Sequence, residues 1–98
     1  MPPPKLLWSP EKADWLRRER GVSFDDVVAA LLERGALADA PHPNREKYPN
    51  QRVLVVEIRG EIYEVPYVSD AGTRFLKTMY PSRKARRAYG KAKAAKPG

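Results

Sequence analysis

RVLVVEIRGEIYEVPYV, residues 52–68, decides the fold: two runs rich in Val, Ile and Tyr flank a single Arg-Gly pair. β-Branched and aromatic side chains suit a half-buried pleated surface. Arg59-Gly60 has the length of a two-residue hairpin turn, and glycine takes positive φ without a Cβ penalty. Residues 52–58 and 61–68 are therefore read as paired strands. Ser69-Asp70-Ala71-Gly72 comes next as a four-residue turn, and TRFLKTMY, residues 73–80, as a third strand. These turns predict a register with Val56 opposite Tyr63, Leu54 opposite Val65 and Val65 opposite Leu76. One face then carries Leu54, Val56, Ile58, Tyr63, Val65, Tyr67, Leu76 and Tyr80, the expected core face. The other carries Val53, Val55, Glu57, Ile62, Glu64, Phe75, Lys77 and Met79, with Glu64 opposite Lys77. Pro66 lacks a ladder donor and marks a bulge or a widened pairing.

Outward from this sheet, residues 36–51 read as a loop, because Pro41, Pro43 and Pro49 oppose a regular element. Before it, Ser9-Pro10-Glu11 carries the signals of a helix start, and Gly21 of a helix end. Ser23 and Asp26 form a short-armed capping box for a second helix, whose apolar residues Phe24, Val27, Val28, Leu31 and Leu32 recur at helical spacing. Beyond the sheet, Arg83 to about Lys93 reads as an Ala- and Lys/Arg-rich helix. The expected fold is α+β: two N-terminal helices, a three-stranded antiparallel sheet and a basic C-terminal helix. A single domain is expected over residues 1–98, ordered over about 6–90, with a mobile basic tail at 91–98.

The chain has 98 residues and a net charge of +7. Residues 1–80 contain 12 Lys/Arg and 12 Asp/Glu, so the entire excess falls after residue 80, where no acid occurs. Such a block attracts polyanions, since each neutralised phosphate releases counterions; a solubilising tail is the plainer alternative for its last residues. With no cysteine and one histidine, thiol chemistry is excluded and a zinc site nearly so, and no cofactor is expected. No apolar run reaches membrane-spanning length and no signal peptide is evident, so a cytoplasmic location without a membrane partner is expected. Glycine-rich phosphate loops and nucleophile elbows are missing from the sequence.

Metal-independent cleavage of RNA needs groups that take and give protons and a cation that stabilises the phosphorane. His42, Glu57, Glu64 and Lys77 are candidates for the first task, Arg52 and Arg83 for the second. Lys47, Tyr48, Tyr80, Lys84, Arg86 and Arg87 are candidate RNA contacts through charge or stacking. HPNREKYPNQR, residues 42–52, reads as a stiff loop at the sheet rim or as a plain polar connector. Glu64 with Lys77 is equally an ordinary cross-strand ion pair.

WSPEKADWLRRERGVSFDDVVAAL (residues 8–31) and PSRKARRAY (residues 81–89), in this order around a sheet, resemble the BrnT-type toxins of bacterial toxin–antitoxin pairs. On that resemblance Lys12 matches a basic position of the first helix, residues 21–24 match the inter-helix turn, and Ser82, Arg83, Lys84 and Ala85 match the closing motif. The resemblance implies a RelE-like fold and an mRNA-cleaving, metal-independent ribonuclease. Its partner would be a ribbon-helix-helix antitoxin, with a heterotetramer around an antitoxin dimer as one arrangement. The competing expectation is a non-catalytic nucleic-acid-binding or protein-interaction module that uses the basic segment.

Overall fold

The computed structural model describes residues 5–90. The elements are β1 (Lys5–Trp8), α1 (Pro10–Arg20), α2 (Phe24–Glu33), β2 (Ala38–Pro41), β3 (Gln51–Ile58), β4 (Glu61–Asp70), β5 (Thr73–Leu76), β6 (Tyr80–Pro81) and α3 (Arg83–Ala85). A π-helical turn, Arg86–Gly90, continues α3. No helix among the described residues is long and apolar enough to cross a membrane.

Both N-terminal helices begin where the sequence predicts, and the first ends where it predicts. Ser9 Oγ accepts from the Lys12 amide, Pro10 opens α1, and Gly21 ends it at φ 72°. The Asp26 carboxylate accepts from the Ser23 amide at 2.8 Å, while the Ser23 hydroxyl donates to the Ala13 carbonyl at 3.0 Å. One buried serine thereby sets the start of α2 against the body of α1. Leu16, Phe24, Val27 and Ala30 pack on the sheet with Leu54, Val56, Val65, Tyr67 and Leu76. Trp15, read from the sequence as able to face inward with Leu16, is exposed, with Lys12 and Arg20 over its ring at 4.3 and 5.3 Å.

The sheet departs from the expected three antiparallel strands. It has six strands in the order β1-β5-β4-β3-β2, with β6 also on β4, and β1 runs parallel to β5. β1 escapes a reading of the sequence because its partner lies far along the chain. β2 fits ahead of the prolines: its one proline, Pro41, closes a short edge strand, where a missing donor costs least. The expected RelE-like arrangement of three strands is thus replaced by a larger mixed sheet.

The β3–β4 hairpin has the predicted register, with Val56 opposite Tyr63 and Leu54 opposite Val65. Arg59 and Gly60 both have positive φ, as a type I′ turn requires. The next turn is shorter than expected. Asp70 pairs with Thr73, leaving Ala71-Gly72 as a second two-residue turn with positive φ at both positions. Leu76 therefore faces Tyr67 rather than Val65, a two-residue shift that leaves each side chain on its expected face.

Pro66 changes the faces further on. Its carbonyl accepts from the Lys77 amide at 2.8 Å, so its imino nitrogen, which has no proton, faces the same neighbour. Regular pairing with β5 ends there. Pairing resumes with Glu64 opposite Tyr80, one residue later than the register of Tyr67 with Leu76 requires. That extra residue inverts the end of the segment: Met79 turns into the core at 0 % exposure and Tyr80 turns to the other face, the reverse of expectation.

The face away from α1 and α2, called here the outer face, is only partly open. Val55 and Ile62 are covered by Ala85 of α3, with Ala38 and Tyr89 packed beside them. The expected single helix from Arg83 to about Lys93 is instead a three-residue helix widening into a π turn, which sets Tyr89 against this small cluster. Lys91, Lys93 and the tail at 91–98 lie outside the described residues.

Candidate functional site

A groove of about 230 Å³ lies over β2 and β3 on the outer face. Ala38, Ala40, Val53 and Val55 form its apolar floor, Pro41 and Pro43 one wall, and Lys84, Ala85, Ala88 and Tyr89 the other. Among the described residues Glu64 is its only carboxylate. Alternation along β4 brings Glu64 to this face, opposite Tyr80.

Glu64 is held on both oxygens. One accepts from the Ser82 hydroxyl in a short hydrogen bond, the other from the Tyr80 hydroxyl at 3.4 Å. Burial, and then the charge and hydrogen bond of Glu64, raise the Tyr80 phenol above its ordinary range, so it remains a neutral donor. Ser82 also accepts from the Ala85 amide at 3.1 Å as the N-cap of α3. The same hydroxyl therefore orients the carboxylate and starts the basic segment. Arg83, Lys84, Arg86 and Arg87 are all exposed, and none forms an ion pair among the described residues.

A second, more open concavity of about 490 Å³ lies over β4 and β5, lined by Val68, Asp70, Ala71, Thr73, Phe75 and Lys77. The Lys77 ammonium stands 5.6 Å from the centre of the Phe75 ring.

The expected candidates divide between these two sites and the rest of the molecule. Glu64 and Lys84 meet in the groove, and Tyr80 and Arg83 adjoin it through Glu64 and α3. Lys77 lies in the neighbouring concavity, and the anticipated Glu64–Lys77 ion pair is not formed: the shorter turn brings Lys77 beside Pro66, and the extra residue after Leu76 then puts Tyr80 opposite Glu64. His42 is turned into its own loop: its Nδ1 accepts from the Asn44 amide at 3.0 Å, and its ring lies 4.5 Å from that of Tyr48. Lys47 sits 5.4 Å from the Tyr48 ring, so the loop packs largely on itself. Of this loop Pro43, not the histidine, lines the groove, next to Pro41 at the end of β2.

Glu57 is 8 % exposed in its side chain and accepts from Arg34 at 2.6 Å. Arg52 belongs to the opposite face, correcting its expected place at the rim of the open one. Its Nε donates to Asp39 at 3.1 Å and to the Tyr67 hydroxyl at 3.2 Å. Tyr67 in turn donates to Asp39 at 2.7 Å, and Arg74 approaches the same carboxylate at 3.4 Å. This four-strand clasp is hidden from a reading of the sequence, although Asp39 between two alanines in ADAP carries the alternation of a strand. Burial, followed by the bond to Asp39, raises the Tyr67 phenol, and the bonds that Arg52 donates to Tyr67 and Asp39 raise its guanidinium.

By its fold the chain is an α+β protein with a mixed sheet, helices on one face and a basic segment on the other. No family model, no characterised protein and no solved structure matches it.

Proposed function

We propose that this chain binds single-stranded RNA across its outer face and cleaves it, as the toxin of a BrnT-type toxin–antitoxin pair. The observation that carries the reading is the junction of Glu64 with α3: one oriented carboxylate in an apolar groove with Lys84, where a segment starts whose four exposed cations have no acidic partner among the described residues. Arg83, Lys84, Arg86 and Arg87 neutralise phosphates. Glu64 accepts the proton of a 2′-hydroxyl, each of its oxygens keeping a second lone pair beyond the bonds from Ser82 and Tyr80. Lys84, on the wall of the same groove, supplies positive charge to the phosphorane formed by the 2′-oxygen, and the P–O5′ bond then breaks, the 5′-oxygen leaving as a hydroxyl with a proton from solvent. The toxin assignment rests on the resemblance of residues 8–31 and 81–89. A ribbon-helix-helix antitoxin would cover the basic segment, in a heterotetramer if it is dimeric.

The test is RNA cleavage by the purified protein in excess chelator, beside Glu64→Gln and Lys84→Ala. Cleavage that persists in chelator and falls about 10²- to 10⁴-fold in Glu64→Gln is expected for a general base. A second reading, RNA binding without cleavage, is favoured by the dispersal of His42, Glu57 and Arg52 away from the groove. Bound but intact RNA would establish it.

A further inference from the structure

Resting on the RNA reading above, we infer that the concavity around Phe75 is a nucleobase subsite that takes an unpaired base carrying an exocyclic amine. Phe75 belongs to neither hydrophobic core and is 38 % exposed, although its strand is interior to the sheet. Val68 stands beside it on β4 and Leu7 on β1, all three on the outer face, giving the ring a flat apolar surround. Lys77 lies 5.6 Å from the ring, and Lys5, exposed on β1, is in register with Thr73. An exposed aromatic with one ammonium over its ring and a second lysine on the adjoining strand fits one nucleotide unit, with the base on the ring, Lys77 swung aside to a phosphate, and Lys5 available to the next.

Two polar groups at the rim define which base. Asp70 is exposed, forms no ion pair among the described residues, and offers only acceptors. The Thr73 hydroxyl both donates and accepts. An acidic acceptor favours the exocyclic amine of cytosine (N4), adenine (N6) or guanine (N2) and opposes the carbonyls of uracil, which has no such amine. Val68 and Glu64 are four residues apart on β4, about 13 Å at strand spacing, so a short single strand reaches both sites.

The experiment measures binding of oligo(C), oligo(A) and oligo(U) at low salt to the wild type and to Phe75→Ala, Phe75→Leu, Phe75→Tyr, Asp70→Asn and Lys84→Ala. Because Phe75 is exposed, its variants keep the fold, which circular dichroism verifies. Loss of one stacked base lowers affinity about five- to 150-fold in Phe75→Ala. Phe75→Tyr keeps wild-type affinity, Phe75→Leu does not, and Asp70→Asn brings oligo(U) up to oligo(C). If Phe75→Ala binds as the wild type while Lys84→Ala is weakened, the subsite is overturned and the RNA reading stands. Full affinity in Phe75→Leu also overturns it, leaving an apolar patch suited to a protein partner. If the wild type binds no RNA, both readings fall together.

Discussion

The Ser82 hydroxyl donates to the Glu64 carboxylate while accepting from the Ala85 amide, joining the middle of β4 to the start of the basic segment. With the β4–β6 pairing and the packing of Ala85 on Val55 and Ile62, that oxygen fixes the carboxylate relative to the start of α3.

Ser82→Ala removes the cap and a hydrogen bond to a charged group together. It is expected to destabilise the protein by about 1–3 kcal/mol, read as a lower urea midpoint at unchanged slope. Amide exchange at Ala85 and Arg86 should accelerate more than exchange in β3. Unchanged exchange there would show that Ser82 does not anchor the segment.

The register change at Pro66 separates two apolar residues of one chain segment. Met79→Ala should cost about 2–5 kcal/mol, because its side chain is wholly enclosed. Phe75→Ala should cost about 1 kcal/mol or less, a strand-propensity effect on an exposed position. Similar costs for the two would place them on the same face and contradict the inversion.

Tyr67 and Tyr80 titrate above the ordinary value of 10.0 in the folded protein, each chiefly through burial. Above that pH the unfolded chain loses these protons first, so the native state binds more protons and stability falls as pH rises. Their contribution is complete below about pH 10 and lost as pH passes through the folded values. Denaturant midpoints measured upward from neutral pH should therefore drop in the alkaline range. The drop should be smaller in Tyr67→Phe; an equal drop would remove Tyr67 as a source.

The basic segment should govern the salt dependence of RNA binding. Each phosphate contact on a single strand contributes about 0.7 to the slope of log affinity against log salt. Arg83→Ala and Lys84→Ala should each reduce the slope by about that amount, whereas Lys12→Ala, on the face of α1 beside Trp15, should leave it unchanged. Equal slopes in all three would take the phosphates away from α3.

By itself the sequence determined the features that short-range chemistry controls. Ser9, Pro10 and Gly21 bound α1, Ser23 and Asp26 start α2, and Arg59-Gly60 sets the β3–β4 register, because each signal acts within a few residues. The same locality made the excess positive charge near residues 83–87 legible. The tertiary structure alone decided the rest. β1 joins the sheet through a partner 68 residues away, and β2 through one 11 to 17 residues away, across a proline-rich loop. The exchange of Met79 and Tyr80 depends on which neighbour the donorless side of Pro66 faces, which pairing with β5 determines. Arg52 reads from its loop as a rim residue even though alternation from Leu54 assigns it to the helix side, since its partners Asp39 and Arg74 lie on strands that only the folded sheet brings together. Glu64 could be named from the strand pattern, but its partners Ser82 and Tyr80 come from long-range pairing, whose register no local propensity specifies.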